Sequence, residues 1–232
     1  MSLQSLRQMV LASNLIWRLS GISYSTAVVA THGRPTSWQG SLRECSAQME
    51  ILDRYIAMSK EILEFGCGIG GNLVSVGSKV QKGWGIDVNR GYIRIARRIA
   101  LKANATNLTF IKYDGHKIPE VFFHRIDTAI SIGVFERISK SKVYDLLLQL
   151  SNTLTTNGTL IVYLLSDRAK GSVFTQTLGD DAYTFWSDNE ISSIPSFLEM
   201  DYIERISWPS NVNGHLQSNE SYADVLVMRM PK

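Results

Sequence analysis

Residues 61 to 72 read Glu-Ile-Leu-Glu-Phe-Gly-Cys-Gly-Ile-Gly-Gly-Asn, an apolar run with one acid inside it, Glu64, that passes straight into Gly66, Gly68 and Gly70. Glycines lack the Cβ that would stop a backbone turning tightly and lying against a ligand, and the helix expected next offers unpaired N–H groups to an anionic group. That is the chemistry of a nucleotide-cofactor loop. Gly66, Gly68 and Gly71 also satisfy the G-x-G-x-x-G spacing of dinucleotide sites, so the loop alone does not choose the cofactor. Three further stretches end in polar or glycine residues. Gly83-Trp84-Gly85-Ile86 ends in Asp87, whose carboxylate can accept from both hydroxyls of a ribose. Leu108 to Tyr113 ends in Asp114-Gly115, where a side-chain oxygen can take an adenine amino proton while a backbone N–H meets the ring. Asp127 to Ser131 runs into Ile132-Gly133-Val134-Phe135-Glu136-Arg137.

Bringing these residues together requires parallel strands whose ends share one edge, the edge at which open α/β sheets bind ligands. The stretches above supply four strands. Lys140 to Leu154 carries Val143, Leu146, Leu147, Leu150 and Leu154 as a helical stripe, Thr155 to Gly158 reads as a turn, and the almost wholly apolar Thr159 to Leu165 predicts a buried fifth strand. A helix near Ile191 to Phe197 and strands near Asp201 to Ser207 and Tyr222 to Met230, joined through a polar loop, complete the pattern. The fold class expected is α/β, doubly wound and Rossmann-like, with a mostly parallel seven-stranded sheet, an antiparallel C-terminal hairpin and N-terminal helices. Leu3, Leu6, Val10 and Trp17 form one helical stripe before the first strand, and Leu42, Cys45, Met49, Leu52 and Ile56 form a second. The linker Gly21 to Gly40 carries Tyr24, His32 and Trp38. The division expected is a helical cap or lid over residues 1–58 and a cofactor-binding domain over 59–232. An ordinary surface loop is the plain alternative for the linker. A membrane-surface anchor fits poorly, because Arg7 and Arg18 alone make a weak basic face.

The set Glu64-x-Gly66-Cys67-Gly68-x-Gly70, Gly85-Ile86-Asp87, Asp114-Gly115 and Ser131 to Glu136, in that order across residues 61 to 165, resembles the class I S-adenosylmethionine-dependent methyltransferases. The resemblance implies that Glu64, Gly66, Cys67, Gly68 and Gly70 hold the methionine end of S-adenosylmethionine, and of its product S-adenosylhomocysteine. It places Asp87 and Val88 at the ribose, Asp114 and Gly115 at the adenine, and Ser131 and Ile132 along the sulfonium. Ser131 to Glu136 is similar to the corresponding stretch of cyclopropane fatty acid synthases, although Arg137 stands where those enzymes usually carry histidine. No Asn-Pro-Pro-Tyr-like sequence follows the fourth strand, which argues against the enzymes that methylate adenine or glutamine amino groups. A small-molecule acceptor is therefore expected.

In-line methyl transfer chiefly needs the acceptor's lone pair held against the methyl carbon with water kept away. A base is needed only where the acceptor must lose a proton. The candidates are His32, His116 and Glu136, with Tyr24 beside the first. His116 also reads as an exposed loop residue, and Glu136 as a cap for the segment that follows. Cys67 lies where a helix N-terminus could lower its pKa, yet it also reads as a small loop residue.

Composition bounds the rest. The 232 residues, 44% of them hydrophobic, suffice for one substantial core, and a formal charge of +3 is too small to imply nucleic acid or an anionic membrane. Cys45 and Cys67 make neither a disulfide framework nor a metal site, so a cytoplasmic setting is expected. Ser13, Asn14 and Arg18 interrupt the N-terminal apolar run, against a secretion leader, and no stretch approaches membrane-spanning length. Three rivals remain open. A nicotinamide-dependent oxidoreductase would use Asp87 for its own ribose. An RNA methyltransferase would use Arg90, Arg94, Arg97, Arg98 and Lys102 as a phosphate-binding face. A cofactor-binding protein without turnover would keep the loop alone.

Overall fold

The computed structural model describes residues 46–56, 59–171, 183–212 and 215–232. The strands are β1 (Glu61–Phe65), β2 (Lys82–Asp87), β3 (Leu108–Lys112), β4 (Ile126–Ser131), β5 (Leu154–Leu165), β6 (Asp201–Val212) and β7 (His215–Arg229). The helices are α1 (Ser46–Ile56), α2 (Gly71–Val76), α3 (Arg90–Lys102), α4 (Lys140–Ser151) and α5 (Asp188–Phe197). One sheet has the order β3-β2-β1-β4-β5-β7-β6. The first five strands run parallel, and β7 runs antiparallel between β5 and β6. The order reverses between β1 and β4, which makes their C-terminal ends the switch point where such sheets open a crevice.

Alternation along the strands sends side chains to two separate cores. On one face Leu63, Ala129, Leu160 and Val162 pack under Leu146, Leu147 and Leu150 of α4 and Ile191 and Ile194 of α5. On the other, Ile62, Ile130, Ile161 and Val227 pack under Leu52 and Ile56 of α1, Leu73 of α2, and Ile93 and Ala96 of α3. Both faces of the parallel strands are thus covered, which is why those strands read as continuous apolar runs. Arg54 and Tyr55 of α1 both bond Glu204 of β6, the Arg54 bond at 2.9 Å, tying this helix to the hairpin. The N-terminal stripe from Leu3 to Trp17 and the linker with Tyr24, His32 and Trp38 lie outside the described residues.

Several boundaries differ from the sequence expectation. Helix α4 stops at Ser151, and Leu154 opens β5 instead of closing the stripe. The segment Thr155 to Gly158 lies within β5 and not before it. There β5 advances from Leu154 to Thr159 while β4 advances only from Ile126 to Thr128. The surplus residues bulge out, helped by the left-handed Asn157 at φ 63°. Helix α5 starts at Asp188, three residues before the expected apolar stripe, because Ser187 and Glu190 form a reciprocal capping box.

Candidate active site

At the C-terminal end of β1 the chain turns through Gly66, Gly68 and Gly70, all left-handed, at φ 71°, 52° and 82°. A Cβ at Gly66 would stand 2.2 Å from Val134 Cγ2, and one at Gly70 would stand 2.7 Å from the Phe110 ring, so these two glycines are fixed by packing. Gly68 differs: among the described residues no atom lies within 4 Å of its would-be Cβ. It is the glycine that leaves room for a ligand. Gly70 is the N-cap of α2, and the bonds from the Gly66 and Cys67 N–H groups to the Ile86 carbonyl, at 2.8 and 3.1 Å, pin the loop to β2.

Asp87, at the end of β2, bridges this loop to the next. Its Oδ2 accepts from the Gly68 N–H at 2.9 Å and its Oδ1 from the Asn89 N–H at 2.7 Å. Burial raises the pKa of the carboxyl and the two N–H bonds oppose the rise. Each oxygen keeps one lone pair for a ligand hydroxyl. Asn89 in turn caps α3, its side chain accepting from the Gly91 and Tyr92 N–H groups. The sequence reading missed Asn89, although an asparagine just before a helical stripe is an N-cap signal.

Glu64 is buried beside the loop. Asn72 Nδ2 donates to its Oε1 at 2.6 Å, while Oε2 is buried without a partner among the described residues. Desolvation pushes its carboxyl up to about 8 against the Asn72 and Leu73 donors, with the Asp87 charge adding to the rise. Asn72 was also missed; its position in the first turn of α2 was the available signal. Cys67 corrects an expectation. Its thiol is buried and pushed up by desolvation and by the charges of Glu64 and Asp87, the opposite of helix-terminus activation. Its sulfur would lie 2.8 Å from a Cβ at Gly85, so packing sets its size.

Beyond β3, Asp114 is exposed. Its Oδ1 accepts from the His116 and Lys117 N–H groups at 2.8 and 3.3 Å, which lowers its pKa and shapes the turn through Gly115, φ 91°. A Cβ on Gly115 would stand 3.4 Å from Val88 Cγ1, so these two loops face one another, with Val88 exposed. His116 is exposed on the same turn.

At the end of β4, Ser131 is buried and its Oγ has no partner. Ile132 is half-buried against the second core, and Gly133 turns at φ 71°. Glu136 folds back so that Oε1 lies 3.9 Å from a Cβ on Gly133, while Oε2 is shut away from solvent with no partner among the described residues. It does not cap the following helix. Ser139 is the N-cap of α4, with no side-chain cap bond. Burial raises the Glu136 pKa, and Arg137 partly opposes this. Thr184 donates from its backbone to the Glu136 carbonyl at 2.9 Å, so residues 183–187, which also bond the end of β5 through Trp186, close this side. Tyr163, Tyr183 and Phe185 gather there. Tyr163 was not singled out from the sequence, because it sits inside an apolar strand. His32 lies outside the described residues.

The crevice therefore has one half shaped by backbone, at β1 to β3, and another lined by side chains, at β4 and β5. Two buried polar atoms without partners, Glu64 Oε2 and Ser131 Oγ, stand near the ends of β1 and β4. Such atoms are costly unless a ligand satisfies them. Together with the open space at Gly68 and the paired loops carrying Asp87 and Gly115, they fit a nucleoside cofactor with a polar tail.

Residues 62–158 match the methyltransferase domain family. No curated protein matches the sequence significantly. Among solved structures, the chain is similar to magnesium protoporphyrin IX methyltransferase from Synechocystis PCC 6803 with bound S-adenosylhomocysteine: 14% identity, TM-score 0.64, covering 82% of this chain and 84% of that one. It is also similar to an S-adenosylmethionine-dependent methyltransferase from Methanosarcina mazei, at 15% identity and TM-score 0.63, over 78% and 97% of the two chains. The [4+2]-cyclase SpnF is as similar, at 13% identity and TM-score 0.63 over 80% of each. Likenesses this remote speak for the fold. The domain match and the fold together define the class: residues 62–158 form a methyltransferase domain, in a fold shared with S-adenosylmethionine-dependent methyltransferases. That match speaks against the nicotinamide reading. Among the described residues no helix is long and apolar enough to cross a membrane.

Proposed function

We propose that this enzyme methylates a small-molecule acceptor held at the C-terminal ends of β4 and β5, with S-adenosylmethionine bound across β1, β2 and β3. Bound there, the cofactor supplies a methyl carbon activated by its sulfonium. Glu64, Gly66, Cys67, Gly68 and Gly70 hold the methionine end, Asp87 and Val88 the ribose, Asp114 and Gly115 the adenine, and Ser131 and Ile132 border the reacting centre. The observation that carries the reading is the Asp87 clamp. One carboxylate, fixed by N–H groups from two loops, keeps a free lone pair on each oxygen at the point where strand order reverses.

The small-molecule reading draws support from where the charges lie. The cations of α3 cover the β2–β3 half of the sheet, and Arg97 donates through Nε and Nη2 to the Phe110 carbonyl, at 2.9 and 2.7 Å, inside the fold. The acceptor side, at β4 and β5, carries aromatic rings and one buried carboxyl oxygen, and its two cations, Arg137 and Lys170, lie against the Tyr183 and Phe185 rings. Of the three candidates for a base, Glu136 is the one whose reactive atom is buried and unpartnered at this end of β4, and His116 is exposed by the adenine-side turn. The test is calorimetric titration with S-adenosylhomocysteine, using NADH as comparator, on the wild type and on Asp87→Ala. Micromolar binding of S-adenosylhomocysteine alone, weakened by the substitution, is expected. Binding of NADH, or indifference to Asp87→Ala, would overturn the site assignment.

A further inference from the structure

We infer that the acceptor is a primary or secondary amine carried on an apolar, ring-bearing body, and that Glu136 is the catalytic residue that binds its nitrogen and takes its proton. The inference rests on the methyltransferase reading above and concerns the other half of the same crevice. Glu136 Oε2 is buried and has no hydrogen-bond partner among the described residues, while Oε1 lies against the Gly133 turn at the end of β4. A buried carboxylate oxygen that no donor among the described residues reaches is destabilised, and a ligand that donates to it recovers that loss. The partner must therefore bring a hydrogen.

The surroundings narrow its chemistry. Asp224, a second acid whose charge acts on Tyr163, is held by Arg168 at 2.7 Å and by Arg205 at 2.8 Å. Arg137 lies over the Tyr183 ring, 4.1 Å from its centroid, and Lys170 lies 5.6 Å from that of Phe185. These ring faces already attract cations. An acceptor that is itself a carboxylate or phosphate would meet Glu136 as a like charge. An aliphatic alcohol, whose proton is far less acidic than an ammonium's, would need a far stronger base than a carboxylate. An ammonium suits both features, because its charge pairs with Glu136 and its carbon body lies on Tyr163, Tyr183 and Phe185.

The step balances with these groups alone. The ammonium donates one proton to Glu136 Oε2 and becomes a neutral amine. Its lone pair then forms the N–C bond to the methyl carbon, while the electron pair of the breaking C–S bond leaves on sulfur. The product is a methylated ammonium and S-adenosylhomocysteine, and the carboxyl returns its proton to solvent. Desolvation has already raised the Glu136 pKa above the ordinary carboxylate range, which brings proton acceptance nearer to balance.

The test uses the full chain saturated with S-adenosylhomocysteine, so that binding and turnover are read separately. Phenethylamine and tryptamine, each with its alcohol and carboxylate analogue, are titrated calorimetrically into the wild type and into Glu136→Gln. The amines are expected to bind and their alcohol and acid analogues to bind more weakly. Glu136→Gln should weaken the amines by roughly tenfold or more, the scale of one charged hydrogen bond, without changing affinity for S-adenosylhomocysteine. With S-adenosylmethionine, mass spectrometry should show the singly methylated amine. Preference for an alcohol or an acid, absence of amine binding, or equal amine affinity in Glu136→Gln would overturn the inference. Failure to bind S-adenosylhomocysteine would instead overturn the cofactor reading on which it rests.

Discussion

Replacing Glu64 with glutamine should leave stability in mild acid nearly unchanged and raise it in mild alkali. The folded protein holds this carboxyl at about 8, against an ordinary 4.5, mainly because burial strips it of water. Between those values the unfolded chain is ionised at this position while the folded chain keeps its proton. Folding then takes up a proton, and the wild type loses stability as pH rises across the window, with the full penalty present above the folded value. At 1.36 kcal/mol for each pH unit the penalty reaches about 3–5 kcal/mol, taken as an upper range. The glutamine carbonyl can still accept from Asn72 and from the Leu73 N–H, and it does not titrate. Urea unfolding of the cofactor-free protein, followed by circular dichroism from about pH 5 to about pH 8.5, measures the difference directly. The two proteins should match at the acid end. Glu64→Gln should gain about 3 kcal/mol at the alkaline end, on the order of 10 °C in melting temperature for a chain of this size. Asp87 and Glu136 also have raised pKa values, but both remain in each protein and largely cancel. Parallel stability curves across the window would refute the reasoning, because they would mean that Glu64 is ionised and solvated in the folded state.

Gly66→Ala and Gly68→Ala should separate folding from binding. At Gly66 a left-handed φ coincides with a 2.2 Å approach to Val134, so about 3 kcal/mol or more of stability should be lost by thermal melting. At Gly68 only the φ of 52° opposes alanine, so the loss should be about 1–2 kcal/mol while affinity for S-adenosylhomocysteine falls by calorimetry, since the methyl group enters the open space. Asp224→Ala should cost about 3 kcal/mol in urea unfolding, because it removes the buried acid that holds Arg168 and Arg205 together. Asn89→Ala should cost about 1 kcal/mol through the lost cap on α3 and weaken S-adenosylhomocysteine only modestly, since Asp87 is held by the Asn89 backbone and not by its side chain.

The glycine turns of the crevice were legible in the sequence because backbone conformation builds them. A left-handed turn pressed against Val134 or Phe110 leaves glycine as the residue that fits, and glycine is visible in a sequence as itself. The same holds for strand order. Parallel strands buried on both faces must be apolar runs, and the polar residue ending each run marks the shared edge. Boundaries were less legible where tertiary pairing outweighed local signals. Thr155 to Gly158 has the composition of a turn, yet pairing of Ile126 with Leu154 carries β5 past it and turns it into a bulge. Glu136 looked like a cap by position. Whether a glutamate caps a helix depends on where its side chain points, and here it points back to Gly133.

The acceptor half was not legible for a further reason. Glu136 comes from the turn after β4, Tyr163 from within β5, and Tyr183 and Phe185 from the segment tied down by Thr184 and Trp186. No spacing rule links three segments whose meeting depends on sheet register, so each residue has an ordinary local reading in isolation. Side-chain sites can change acceptor without disturbing the glycine turns, which physically permits one fold to serve both a porphyrin methyltransferase and a [4+2]-cyclase. For this chain the acceptor therefore has to be read from unsatisfied groups. Of the buried polar atoms without partners, Glu64 Oε2 and Ser131 Oγ border the half assigned to the cofactor, and Glu136 Oε2 stands at the aromatic half. A hydrogen-bond acceptor left open beside rings that attract cations selects for charge as well as shape. That selection, more than the fold, is the ground on which we propose an amine over the other acceptors a methyltransferase of this architecture could take.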